Sequence, residues 1–167
     1  FKENEAYNPK SYSMFELLPK DVLLTDDHSI TVKPRFKDIF RSLLIIDPNS
    51  GLTMISHSSE DYPVDKELIS GFLAAMDSFV SEIGGTTSMK EINYKGLYIH
   101  AAYGNDVKLA LFLSQPAHQS LKERLVYLLN QFEEHFHDQV VTFKKSANIT
   151  VFDSEKISVL IKEILSI

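Results

Sequence analysis

The sequence contains no cysteine. Disulfides and thiolate metal sites are therefore excluded, and nothing in the chain demands an oxidising compartment. A cytoplasmic protein is the expectation. No apolar run approaches the roughly 20 residues that a membrane-spanning helix needs, and no basic stretch precedes an apolar one at the start. Membrane association, if any, is expected to be peripheral and to arrive through a partner or a missing segment. The chain opens on Phe1 rather than methionine, which suggests a processed product or an excised piece, with room for an anchor or second domain outside it. Basic charge is also scarce, with 17 Lys and Arg against 23 acids and a formal net charge of −6. A nucleic-acid binder needs a basic face for phosphates, so no nucleic-acid partner is expected.

Catalytic signatures are missing as well. There is no Gly-x-x-x-x-Gly-Lys-Ser/Thr loop and no Gly-x-Ser-x-Gly elbow, which removes intrinsic GTPase activity and the commonest serine-hydrolase arrangement. Residues 84–88, Gly-Gly-Thr-Thr-Ser, have phosphate-loop composition but follow a helix and precede a strand. A phosphate loop feeds a helix N-terminus, so this one reads as a cap and loop. Ser56, His57, Ser58 and Ser59 follow an edge strand with no acid partner in sequence, and neighbouring side chains on a strand point to opposite faces. A polar loop is expected there.

The chain has six histidines. His135 and His137 stand two apart on a predicted helix and diverge by about 200°, so they cannot chelate one ion. His135 and Asp138 have i, i+3 spacing, but a metal site needs three or four convergent ligands. The adjacent carboxylates Glu133 and Glu134, and Asp26 and Asp27, diverge and read as solvated surface. No catalytic residue, metal or cofactor is expected. Asn148-Ile149-Thr150 forms a glycosylation triplet of a kind frequent by chance.

What is present is patterned apolar sequence. Over 167 residues, 44% hydrophobic content suits one domain with a sizeable core. Residues 1–35 differ from the rest, because prolines at 9, 19 and 34 punctuate short apolar clusters at 14–18 and 22–24. They read as an extended arm, with a short strand at 29–32, whose Phe15, Leu17, Leu23 and Leu24 dock on the main body or a neighbour. From Phe36 to the end the chain reads as one domain. The run 43–46 is continuously apolar, turn chemistry follows at 47–51, and 52–56 completes a β-hairpin with a more polar edge strand.

Residues 63–84 carry Leu68, Ile69, Phe72, Leu73, Met76, Phe79, Val80 and Ile83 within about 140° of a helical wheel. Asp65 is the expected N-cap and Gly84-Gly85 the stop. Strands follow at 89–95, 97–103 and 107–114; a long helix at 118–137 carries Leu121, Leu125, Leu128, Leu129, Phe132 and Phe136 on one stripe; an amphipathic helix at 154–165 closes the chain. The fold class is thus α/β, in the α+β sense: a five-stranded, mainly antiparallel sheet with helices on both faces, in the order β-β-α-β-β-β-α-α, plus the N-terminal arm.

Opposite the apolar stripe of the first helix lie Ser70, Gly71, Ala74, Ala75, Asp77, Ser78 and Ser81, where a solvated helix normally carries Lys, Arg and Glu. Gly71 costs about 1 kcal/mol relative to Ala in a helix. Ser70, Gly71, Ala74, Ala75, Ser78 and Ser81 are therefore the candidate partner interface.

This segment order, with the hairpin text at 43–56 and the helix text at 67–82, resembles the longin domain of the archaeal and eukaryotic longin/roadblock-like superfamily, over about 130 residues from Phe36 onward. The likeness lies in pattern and order, without a signature motif. Roadblock proteins begin with a helix before the hairpin, and residues 36–41 supply only a single turn, so longin is the preferred branch. The resemblance implies a non-catalytic platform that pairs with itself or a relative, engages small GTPases and serves vesicle trafficking or polarity systems. The alternative is a sensory small-ligand-binding domain of PAS or profilin-like type, which would need an internal pocket.

Overall fold

The computed structural model describes residues 22–24, 30–32, 36–62, 65–83 and 91–167. The chain divides into two compact units, Phe1–Arg35 and Phe36–Ile167. In the first, strand β1 (Val22–Leu24) pairs antiparallel with β2 (Ile30–Val32), Val22 opposite Val32. The apolar cluster at 14–18, Asp26 and Asp27, the Gly84-Gly85 helix stop, the 84–88 loop and the strand start at 89–90 lie outside the described residues.

The second unit opens on a single turn, closed by the Phe40 N–H donating to Phe36 O at 2.9 Å. Strands β3 (Phe40–Ile46) and β4 (Thr53–Ser58) then form the hairpin. Asp47 begins the connection: its carboxylate accepts from Asn49 N (3.1 Å) and Ser50 Oγ (2.6 Å), and Gly51 takes the left-handed φ of 72° that closes it. Helix α1 (Lys66–Glu82) follows, then β5 (Glu91–Tyr94), β6 (Leu97–Tyr103) and β7 (Lys108–Leu113). Lys95 and Gly96, both at positive φ, make the two-residue turn between β5 and β6.

All pairings in the sheet are antiparallel, and the strand order is β4-β3-β7-β6-β5. Strands β3 and β7 lie inside, which is why the unalternating runs at 43–46 and 109–113 are buried throughout. Register separates the two faces. Leu43, Ile45, Leu109, Leu111 and Leu113 join one core; Leu44, Ile46, Ala110 and Phe112 join the other.

The first face is covered by α2 (Gln119–His135), α3 (His137–Ser146), a 3-10 turn at Ile149–Val151 and α4 (Ser154–Leu165). Helix α3 is absent from the sequence reading, which stops the long helix at His137. The chain bends at Phe136, whose φ of −118° ends α2 and whose buried ring stacks on that of Phe132 with centroids 5.1 Å apart. Phe152 then packs against both Phe132 and Phe143, with centroids 6.0 Å away in each case, tying α2, α3 and the start of α4 into one aromatic junction.

Among the described residues, α1 covers the second face. Leu73, with Ile69 beside it, is what α1 adds to the core there.

Candidate interaction face of helix α1

Helix α1 starts where Asp65 caps it, its Oδ1 accepting from Leu68 N at 2.9 Å, and ends at Ile83, whose N–H donates to Phe79 O. The expected cap is therefore in place. The face turned to the sheet differs from the expected one. A stripe of eight apolar residues predicts that all of them point inward, yet Leu68 is 71% exposed, Ile83 67%, Phe79 58% and Phe72 47%, whereas Ser70 is buried. At about 100° per residue the helix is rolled by roughly a quarter turn from the orientation its hydrophobicity prefers.

Polar contacts beneath the helix accompany this roll. Asp77 faces the sheet, where its Oδ1 accepts from Tyr103 Oη (2.8 Å) and its Oδ2 from Lys108 Nζ. Lys108 is 3% exposed, and its ammonium lies 4.9 Å from the centroid of the Tyr103 ring. Ser70 returns its hydroxyl to Glu67 O at 3.2 Å, and Thr53 Oγ1 donates to Lys66 O at 3.4 Å. At the hairpin turn, a Cβ built on Gly51 would stand 3.3 Å from Ala74 Cβ, so a side-chain-free residue admits the helix there.

The candidate interface residues thus separate. Ser70 and Ala74 turn toward the chain's own sheet and turn, while Gly71, Ala75, Ser78 and Ser81 are exposed. Among the described residues, nothing beyond the helix's own backbone and chain neighbours lies within 4 Å of a Cβ built on Gly71. On the wheel, Gly71 and Ala75 border Leu68, Phe72 and Phe79, so the small residues form one edge of an apolar outer flank. Sequence reasoning assigned those large residues to the core, and no periodicity signal distinguishes the two assignments.

The remaining chemistry-bearing groups have structural partners. His57 lies within β4, with Nδ1 3.4 Å from Ser158 Oγ on α4. Burial first, and the positive charge of Lys162 second, hold its pKa below the ordinary value. The neighbouring charge is a cation, the opposite of the carboxylate that orients the base of a Ser-His pair. The expected polar loop at 56–59 is in part strand, since β4 runs to Ser58, whose Oγ sits 2.9 Å from that of Ser42. His135 Nδ1 faces Gln131 O at 2.9 Å, while His137 lies beyond the bend with Nδ1 4.0 Å from Asp106 Oδ2.

Glu133 corrects the solvated reading of the Glu133-Glu134 pair. Its Oε1 accepts from Asp106 N (2.7 Å) and Val107 N (3.1 Å), fixing the β6–β7 connection, where a Cβ on Gly104 would collide with the same carboxylate. Glu91 bridges β5 to α2: the hydrogen bond from Lys122 holds its carboxyl below the ordinary range, and His100 Nδ1 lies 3.2 Å away. Among the described residues, no three His, Asp or Glu side chains converge as a metal site would, and no helix is long and apolar enough to cross a membrane.

A hairpin, a helix, a three-stranded meander and C-terminal helices, with β3 beside β7 and helices on both faces, make up the second unit. This is an α+β architecture, a five-stranded antiparallel sheet with helices on both faces, as the segment order leads one to expect. Among solved structures, the chain is similar to "MglB with tetrameric arrangement", at 13% identity and a TM-score of 0.40, covering 78% of this chain and 84% of that one. It is also similar to the gliding protein mglB from Thermus thermophilus, at 15% identity and a TM-score of 0.35, covering 77% and 83% respectively. No family model matches the sequence, and no curated protein matches it.

Proposed function

We propose that this chain is a non-catalytic protein-interaction module of longin type, which pairs through the outer flank of α1 with a second copy or a longin/roadblock relative. In that reading the paired module serves a small GTPase, as the resemblance in segment order implies, and acts in the cytoplasm at or near a trafficking membrane. The observation that carries it is the line of exposed Leu68, Phe72, Phe79 and Ile83 on one side of one helix. Isolated apolar residues on a surface need no explanation, but a contiguous patch marks an interaction site. Gly71 and Ala75, beside that line, let a partner's backbone approach closely.

A small-ligand domain is less well supported. The groove between β6 and α2, about 780 Å³ and lined by Ala101, Ala102, Val126 and Leu129 together with Lys122, Glu123 and Glu133, is open at the surface, whereas a small-ligand domain of that type needs an internal pocket.

Sedimentation or light scattering across a concentration series tests the pairing, and capture of nucleotide-loaded small GTPases tests the role. Phe72→Glu with Phe79→Glu is expected to abolish association while leaving the circular dichroism spectrum unchanged, and Ser78→Arg to weaken it. A wild-type chain that stays monomeric at high concentration and captures no GTPase defeats the proposal.

A further inference from the structure

An amphipathic helix left to hydrophobicity alone lays its apolar side on the sheet. Helix α1 does so only in part: Leu73 and Ile69 face the sheet, and Asp77 and Ser70 sit there beside them in place of the rest of the apolar side. The partner of Asp77, Lys108, lies on β7 in register with Ile46 on one side and Tyr103 on the other, pointing to the same face as Ala110 and Phe112. At 3% exposure the ammonium has little water to fall back on. Its charge is met by the Asp77 carboxylate, which Tyr103 also holds in place.

We infer that the Lys108–Asp77 pair is an orientation key, which rolls α1 by about a quarter turn so that Leu68, Phe72, Phe79 and Ile83 are presented outward. This inference deepens the proposed docking role and rests on it for its biological purpose. A buried ion pair is a poor source of net stability, since desolvation offsets most of the attraction, but breaking it leaves an uncompensated buried charge. Rolling the apolar side down would carry Asp77 away from Lys108 and create that state. The pair therefore acts chiefly against the alternative packing. Gly51 acts in the same sense, because its missing Cβ accommodates Ala74 on the sheet side of the helix.

The absence of cysteine gives a clean test. Single cysteines are placed at Phe72→Cys, outward in the structure, and at Ser70→Cys, buried, each in the parent chain and in an Asp77→Leu, Lys108→Met background. Maleimide labelling is measured at concentrations too low for association, and association of the cysteine-free parents is measured separately. In the parent, position 72 is expected to label at least tenfold faster than position 70. In the altered background the order is expected to invert, position 70 labelling faster than position 72, with association lost.

Simple destabilisation would raise chiefly the rate at buried position 70 and narrow the ratio while position 72 stays the faster, so an unchanged order overturns the inference. If the double replacement shows no cooperative melt, Asp77→Asn alone, which keeps the shape and removes the charge, is read by the same criterion. A parent that never associates while the labelling order still inverts defeats the docking role and leaves the orientation key standing.

Discussion

Gly51 of the hairpin turn meets Ala74 of helix α1, and a Cβ on the glycine would come within 3.3 Å of the alanine methyl. Gly51 also has a φ of 72°, where a side chain is strained irrespective of space. Gly51→Ala is expected to cost about 1–2 kcal/mol, from the left-handed backbone before any displacement of the helix is counted. A denaturant titration checks this, and an unchanged midpoint would contradict it.

Gly71 is the opposite case. It lies within the helix at ordinary φ with open space around it. Gly71→Ala should therefore stabilise the isolated chain by about 0.5–1 kcal/mol, through helix propensity and a less flexible unfolded state. If a partner packs closely on this flank, the same change weakens association, so melting temperature and self-affinity are expected to move in opposite senses.

Glu133 closes the β6–β7 connection with two backbone N–H groups on one carboxylate oxygen. Hydrogen bonds to a charged acceptor are the stronger kind, and Glu133→Ala is expected to cost about 1–3 kcal/mol. Glu133→Gln retains an acceptor oxygen and should cost less. Hydrogen exchange at Asp106 and Val107 would rise first.

Phe132 stacks on Phe136 and packs tilted against Phe152, which in turn meets Phe143 of α3. Phe132→Ala removes a fully buried ring and is expected to cost about 3–5 kcal/mol. Phe132→Leu, which refills part of the space, should recover at least half of that in the same unfolding assay.

The pH dependence follows from His57. Burial and Lys162 lower its folded pKa below the ordinary 6.5. On acidification the unfolded chain takes up the proton first, so stability is full above that ordinary value and falls as pH drops through the folded pKa. Between about pH 7 and pH 5 the parent should lose stability more steeply than His57→Gln, whose replacement side chain does not titrate in that range.

Much of the architecture is legible in the sequence because burial on both faces erases polar alternation. The runs at 43–46 and 109–113 read as covered strands for that reason, and they are the neighbouring inner strands of the sheet. The Asp65 cap, the Asp47 turn and the single turn at Phe36 follow from local hydrogen-bonding chemistry that the chain carries within a few residues.

What the sequence alone could not determine depends on contacts between distant residues. Lys108 and Asp77 are 31 positions apart, and neither differs in sequence from a surface residue. Only packing reveals that they meet beneath α1. The inward turn of Glu133 has the same origin, since its carboxylate is drawn to backbone N–H groups of the β6–β7 connection. Helix periodicity measures how apolar each side of α1 is. Which side faces the sheet was decided by the charge waiting there.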